Sequence, residues 1–243
     1  MPRAIAIETS GRVGSVALVG DDQSILARHE FPHGLRHAAQ LIPELDRLVH
    51  QVGWKIQPPP PPTPGVPGEG EIIIYVSAGP GSFTGLRIGI TLAKTLAFAT
   101  GMEIVAVPTL RVLARNAPES AGHLIVVLDA KRQQIFTARF ERQETAWIER
   151  EPAHLDRLSE MLARAPRPVT LLGEGIPYHQ QFIGNDSEVI VADPASWIAR
   201  AQAVAQVGAE MAALGQFADP YLLAPIYIRP PEAEEKWETQ SNK

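Results

Sequence analysis

The stretch that most constrains the fold runs from Glu71 to Thr100. It consists of an apolar strand, "EIIIYVSAG", a glycine-rich turn, "PGSFTG", and a long apolar helix from about Phe83 to Thr100. A strand of this kind is typical of the interior of a sheet, and a helix that follows it after so short a turn packs back on that sheet. The stretch therefore predicts an α/β protein.

The order of elements partly repeats along the chain. Strands are predicted at Ala4–Thr9, Gly14–Val19 and Ser24–Phe31, then a helix over His37–Gly53, and then the strand, helix and strand that end near residue 107. From Pro108 onward strands and helices recur less regularly, ending in a helix over residues 196–215 and an irregular tail. We therefore predict two related domains, 1–107 and 108–243, with the last helix in the second.

A proline-rich run, "PPPPPTPGVPGEG", interrupts the first domain from Pro58 to Gly70. Proline supplies no backbone N–H, so the run forms neither a helix nor a paired strand. Two interpretations remain: a polyproline ligand for a proline-binding module, or a surface insertion that acts as a spacer. Loops tolerate insertions at little cost, so residues 58–68 are interpreted as a spacer.

Composition excludes several classes of protein. The 243 residues are 45% hydrophobic and 20% charged, which is typical of a globular protein. No cysteine is present, which excludes a disulfide scaffold, a thiol nucleophile and a thiolate metal site. The net charge of -5 argues against direct binding of nucleic acid. The N-terminus lacks a signal-peptide pattern, so we expect a cytoplasmic protein.

The glycine-rich turn has two interpretations. Gly79 and Gly81 leave backbone N–H groups open at the start of a helix that Ser82 or Thr84 can cap, which is a potential anion site. A tight strand-to-helix turn without a ligand requires the same residue types. The turn matches neither a Walker A loop, which needs Gly-Lys-Ser/Thr, nor the dinucleotide-binding fingerprint.

The helix after the turn carries a stripe of small residues. Gly85, Gly89, Ala93 and Ala97 recur every four residues, and Leu86 and Ile90 flank them. Apolar residues around most of the axis predict a helix covered on more than one side. The second cover is either the other domain of the same chain or another protein.

Metal and nucleophile chemistry find little support. A helical two-histidine metal site needs histidines four residues apart, and Leu41 stands four residues after His37. No Gly-x-Ser-x-Gly nucleophile elbow occurs. Asp129, beside Lys131 and Arg132, is the best-placed acidic group of the second domain, and a turn or a salt bridge explains it.

Six stretches together resemble the bacterial TsaB (YeaZ) family: "AIETS", "HAAQLIPELDRL", "AGPGSFTGLRIG", "VVLDAKRQQIFTARF", "LLGEG" and "LAPIYIRPPEAEEKW". The resemblance covers nearly the whole chain except the proline-rich run. It implies the two-domain fold of actin, sugar kinases and heat-shock ATPases, which is ribonuclease H-like. It also implies a non-catalytic partner of the paralogous enzyme TsaD, which makes threonylcarbamoyladenosine beside the anticodon of tRNAs reading codons that start with A, with the ATPase TsaE joining them.

The resemblance also assigns roles to individual residues. Leu41 replaces the second histidine of the catalytic paralogue's metal site, and Glu8 replaces the aspartate that normally opens the phosphate loop. The longer Glu8 side chain disfavours tight Mg-nucleotide binding. We therefore expect no catalytic residue, metal or cofactor, and the weak nucleotide-site candidates are Glu8, Ser10, Gly79, Gly81, Ser82 and Thr84.

The expected surface for a TsaD-like paralogue, or for a second copy when the chain is alone, lies on the two helices of the first domain. Its members are His37, Leu41, Leu45, Gly85, Leu86, Gly89, Ile90, Ala93 and Ala97. tRNA is expected to contact the chain only through the complex. Two alternative functions stay open. One is an ATP-dependent phosphotransferase using Glu8, Ser10 and the Gly79–Thr84 loop. The other is a glycoprotease-type peptidase, although the sequence has neither a metal-binding histidine pair nor a nucleophile elbow.

Overall fold

The computed structural model of the chain describes residues 2–31, 37–56 and 72–229. The predicted proline-rich insertion at residues 58–68 lies outside the described residues. Within the described part, no helix combines the length and the apolar character that crossing a membrane requires.

The chain forms two compact units. Among the described residues, the first comprises those within 1–112 and 198–225, and the second comprises 113–197 and 226–229. The sequence-based division assigns everything after residue 107 to the second domain. In the structure, residues 198–225, which include the last helix, instead pack with the first unit.

The described residues form ten strands and six α-helices. The strands are β1 (Arg3–Glu8), β2 (Gly14–Val19), β3 (Ile25–Phe31), β4 (Ile72–Gly79), β5 (Ile104–Pro108), β6 (His123–Asp129), β7 (Ile135–Gln143), β8 (Ala146–Asp156), β9 (Val169–Leu172) and β10 (Val189–Val191). The helices are α1 (His37–Gln51), α2 (Phe83–Thr100), α3 (Thr109–Ala114), α4 (Leu158–Arg164), α5 (Ile176–His179) and α6 (Ala201–Ala213).

The first unit is built on a five-stranded sheet with the order β3-β2-β1-β4-β5. The strands β1, β2 and β3 form an antiparallel meander, whereas β4 runs parallel to β1 and β5 runs parallel to β4. The central strand β1 places Ile5 opposite Leu18 of β2 and Ile74 of β4.

Helices cover both faces of this sheet. Ile74 and Val76 of β4 belong to a buried cluster that includes Leu41 of α1 and Ile90 of α2. Tyr75 lies between them in sequence and therefore points to the opposite face. There its ring packs against Gly208 of α6, where a Cβ would come within 3 Å of the ring.

The position of α6 corrects the sequence-based assignment of the last helix to the second domain. Beyond the packing of Gly208 on Tyr75, the N–H of Ala201 donates to Ser15 Oγ at 2.8 Å and so ties the start of α6 to β2. The helix also begins later than predicted, because a 3-10 turn at Pro194–Ser196 precedes it. Apolar periodicity identifies a helix without indicating which sheet it covers.

The second unit repeats the strand order of the first. Its sheet reads β10-β9-β6-β7-β8, in which β6, β7 and β8 are antiparallel and β9 and β10 run parallel to β6. Its core joins sheet residues such as Ile125 and Val127 to Leu158 and Met161 of α4. The predicted helix near Leu155 starts at Leu158, because β8 extends through Asp156.

Candidate functional site

The most buried polar cluster of the first unit surrounds Glu8, the last residue of β1. Glu8 is 0% exposed. Its Oε1 accepts from the backbone N–H and from the hydroxyl of Ser10, both at 2.5 Å, and its Oε2 accepts from the hydroxyl of Ser77 on β4. The carboxylate thereby links the end of β1 to the following turn and to the neighbouring strand.

The glycine-rich turn closes against this cluster. The N–H of Ser82 donates to the carbonyl oxygen of Ser10 at 2.7 Å. A Cβ on Gly81 would stand 2.5 Å from that same oxygen, so a side chain at this position does not fit. Gly79 has φ 112°, which favours glycine. The glycines therefore permit a close approach between two turns.

The start of α2 is capped within the chain. Ser82 is the N-cap, and its Oγ accepts from the N–H of Gly85 at 3.2 Å, as the sequence predicts. Thr84 is exposed on the first turn. Of the six nucleotide-site candidates, the structure brings together Glu8, Ser10, Gly81 and Ser82. An anion bound here would need the N–H and the hydroxyl of Ser10 as hydrogen-bond donors, but both already donate to Glu8.

The small-residue stripe of α2 faces the chain's own sheet, which corrects the assignment of that stripe to a partner. A Cβ on Gly85 would overlap the carbonyl oxygen of Thr9, and one on Gly89 would overlap its hydroxyl. Ala93 is 0% exposed and Ala97 is buried. Leu86 and Ile90 are buried as well, so none of these six residues is accessible on the surface of the chain.

The predicted contacts on α1 receive a similar correction. Leu41 and Leu45 are buried in the core of the first unit, where they pack with sheet residues such as Val16. His37 begins the helix, and its side chain lies outside the described residues. Helical spacing identified the apolar faces of α1 and α2, and other residues of the same chain cover those faces.

The exposed positions of both helices form a separate surface. On α2 the exposed residues are Thr84, Arg87, Thr91, Thr95, Phe98 and Ala99, and Ile88 is half-buried. On α1 the large exposed apolar side chain is Ile42, at 60%. We call this surface, meaning the exposed residues of α1 and α2, the outward helix face.

A second polar cluster lies at the end of β6 in the second unit. Asp129 accepts from the N–H of Lys131 at 3.1 Å and from its Nζ at 2.9 Å, and His179 Nε2 lies 3.3 Å from Asp129 Oδ1. Partial burial raises the pKa of Asp129, but the hydrogen bonds from Lys131 and His179 outweigh it and lower the pKa overall.

The residues around Asp129 match the turn-or-salt-bridge interpretation made from the sequence. Lys131, Arg132 and Gln133 all have positive φ, of 63°, 52° and 59°, in the hairpin that joins β6 to β7. Arg229 donates to the carbonyl oxygen of Ala130 at the base of this hairpin. Sequence reasoning missed Ser77, His179 and Arg229, because their partners lie 69, 50 and 99 positions away in the chain.

Candidate metal ligands do not cluster in the part of the chain that the structure describes. Among the described residues, no group of three or more His, Asp or Glu side chains is placed to hold an ion. His29 lies 3.6 Å from Glu44, and His50 lies 3.4 Å from Asp46 on α1, so both make pairwise contacts at the surface.

The strand order of both sheets and the helices that flank them define an α/β protein of the actin-like ATPase type. The solved structure of YeaZ from Pseudomonas aeruginosa has the same fold, with a TM-score of 0.75 and 22% identity, covering 93% of this chain and 100% of that one. The predicted fold class is confirmed.

Sequence comparison defines the family. The family model described as TsaD, tRNA N6-adenosine threonylcarbamoyltransferase, matches residues 72–237. The tRNA threonylcarbamoyladenosine biosynthesis protein TsaB of Bacillus subtilis is 31% identical over 238 residues, which cover 96% of each chain. The TsaB protein of Escherichia coli is 24% identical over 93% of this chain and 94% of its own. The chain belongs to the TsaB (YeaZ) family, as the sequence motifs predict.

Proposed function

We propose that this chain acts in tRNA threonylcarbamoyladenosine biosynthesis as a non-catalytic subunit that activates a TsaD-type transferase. The transferase would place threonylcarbamoyl on the adenosine beside the anticodon of tRNAs reading codons that start with A. Membership of the TsaB family is the observation that carries the proposal. A TsaE-type ATPase completes the complex, and tRNA contacts the chain only through its partners.

The closed cluster at Glu8 supports a role without nucleotide chemistry. A phosphotransferase needs an accessible acidic group and open donors for the phosphates. Here the carboxylate of Glu8 is fully buried, and the N–H and hydroxyl of Ser10 donate to it. The turn at Gly81 packs on the backbone of Ser10, which leaves no space even for a methyl group. These contacts favour the accessory role over the phosphotransferase.

The outward helix face is the surface we assign to the transferase subunit. It combines exposed polar side chains, such as Thr91 and Thr95, with the exposed apolar side chains Ile42 and Phe98. This mixture is typical of an interface between subunits that also exist apart. The buried stripe of α2 makes no direct contact with the transferase subunit in this proposal. It contributes to binding indirectly, because it packs α2 closely against the rest of the first unit.

Reconstitution tests the proposal. The purified chain is combined with the TsaD-type and TsaE-type proteins of the same organism, tRNA and a source of threonylcarbamoyl-adenylate, and modified adenosine is quantified by mass spectrometry. We expect modification to depend on the chain, and the chain alone to produce none and to hydrolyse no ATP. Equal modification without the chain, or Mg-ATP turnover by the chain alone, would contradict the proposal.

A pair of variants tests the surface. Thr91→Arg places a long charged side chain on the outward helix face, where binding would bury it, and should weaken binding of the transferase subunit at least tenfold. Thr145→Arg makes the same change at an exposed position between β7 and β8 of the second unit and should leave binding unchanged. Both variants should melt like the wild type. Equal affinity for the two would exclude the outward helix face.

A further inference from the structure

The segment that follows α6 is tied to the first unit at both ends. We call residues 216–223 the strap. At its start, the N–H of Ala218 donates to the carbonyl oxygen of Ile104 at 2.8 Å, along the edge strand β5. At its end, Leu223 is buried in the core, and its carbonyl oxygen accepts from Lys94 Nζ of α2 at 3.1 Å. The strap therefore crosses from the sheet edge to α2.

Between these ties the strap exposes two large apolar side chains. Tyr221 is 79% exposed and Leu222 is 80% exposed. Their backbone is fixed by Asp219, whose Oδ1 accepts from the N–H of Tyr221 at 2.8 Å and whose carbonyl oxygen accepts from Leu222 and Leu223. A single exposed apolar side chain is normal, whereas a contiguous group of them is typical of a surface that a partner covers.

The ring of Tyr221 connects the strap to α2. Its centroid lies 4.9 Å from that of Phe98, which is itself 51% exposed. Phe98 follows Thr91 and Thr95 by seven and three residues, so it lies on the same side of the helix as these two exposed threonines. We call Phe98, Tyr221 and Leu222, the exposed neighbour of Tyr221 in the chain, the apolar patch. Through the contact between the two rings it is continuous with the outward helix face.

We infer that this apolar patch is part of the contact with the TsaD-type transferase subunit, so that the strap supplies a second section of the interface beyond the two helices. The inference rests on the proposed function. A subunit that covers the outward face of α2 along its full length meets Phe98, and through the ring contact it meets Tyr221. Aromatic side chains at such positions commonly account for much of the affinity of an interface.

Binding measurements with exposed-residue variants test the inference. Tyr221→Asp and Leu222→Asp, alone and combined, are titrated against the purified transferase subunit by biolayer interferometry. We expect the combined variant to bind at least tenfold more weakly, with an unchanged melting temperature because both side chains are mostly in solvent. Ile190→Asp, at a 50% exposed position of the second unit, is the matched control and should bind like the wild type. Tyr221→Ser replaces any variant that melts early.

The outcomes separate the inference from the proposed function. No binding by the wild type would overturn both. Binding that Thr91→Arg weakens and the strap variants leave intact would overturn the inference alone. A wild-type homodimer, detected by analytical ultracentrifugation, that the strap variants dissociate without weakening transferase binding would assign the patch to a second copy and would also overturn it.

Discussion

The two units place an acidic residue at the same point of the same strand order. Glu8 ends β1 and Asp129 ends β6, the central strands of their sheets. In each unit the carboxylate accepts from the N–H two residues later, that of Ser10 or that of Lys131. The further partners differ: Glu8 accepts from two serine hydroxyls in the core, whereas Asp129 accepts from the exposed Lys131 Nζ and contacts the buried His179.

The glycine turns show the same pairing. Gly81 packs on Ser10 after β1, and in the second unit a Cβ on Gly175 would stand 2.6 Å from the N–H nitrogen of Asp129. The turn leads into α2, of 18 residues, in the first unit and into α5, of 4 residues, in the second. Close-packed glycines therefore belong to the shared strand order. The long helix with an exposed outer side is particular to the first unit.

The largest expected effect tests whether α2 belongs to the core of the first unit. Ala93→Arg forces a charged side chain into a site that is 0% exposed, at a cost of several kcal/mol. We expect loss of the cooperative melt in circular dichroism, whereas Thr91→Arg, two residues earlier on the outer side, should melt normally. An Ala93→Arg protein with wild-type stability would mean that the small-residue stripe lies on the surface and not in the core.

The next effect compares the two acids directly. Glu8→Ala leaves buried donors of Ser10 and Ser77 without an acceptor, and each such group costs about 1–3 kcal/mol, so a loss of about 3 kcal/mol is expected. Asp129→Ala leaves one buried group, the imidazole of His179, without its partner, whereas the exposed Lys131 turns to solvent, so a loss of about 1 kcal/mol is expected. Urea denaturation of both variants measures the difference. Equal losses would mean that the two clusters are equivalent despite their different burial.

Sequence reasoning recovered the first unit more fully than the second because its signals are local. The strand, turn and helix of residues 71–100 are consecutive, so periodicity and turn chemistry identify them. The return of α6 to the first sheet depends on Tyr75 and Gly208, which are far apart in the chain. No local pattern carries that information.

The same limit explains the misassigned interface residues. Helical spacing separates the apolar side of α2 from its polar side, and a stripe of glycine and alanine fits equally well against a sheet or against a partner helix. The distance from Gly85 to Thr9 decides between them, and it is a tertiary contact. Tyr221 and Leu222 carried no sequence signal, because their exposure depends on the path of the strap.

A smaller effect concerns pH and the second unit. The pKa of Asp129 in the folded chain lies below its ordinary value of 3.8, so the folded state binds its proton less readily than the unfolded state does. The stabilisation is present above pH 3.8 and is lost as the pH falls through the folded pKa. Asp129→Asn should therefore lose less stability than the wild type over this acidic interval in urea titrations. Parallel curves would exclude Asp129 as a contributor.

The smallest effect concerns the connection before the fourth strand of each sheet. In the first unit α1 ends at Gln51 and β4 begins at Ile72, whereas in the second α4 ends at Arg164 and β9 begins at Val169. The strand order thus tolerates a short connection. Replacing residues 58–68 with a short Gly-Ser loop should change the free energy of unfolding by about 1 kcal/mol or less, because closure entropy varies slowly with loop length.

Two measurements on the shortened chain decide how the proline-rich run is used. The melting temperature should stay within a few degrees of the wild type, since a change of about 1 kcal/mol shifts it by about 2–4 °C in a chain of this size. Modification in the reconstituted system should stay near the wild-type rate. Because the spacer interpretation gives the run no partner, a stable protein that fails to support modification would identify residues 58–68 as a docking segment. The first unit would then have a binding element that the shared strand order does not explain.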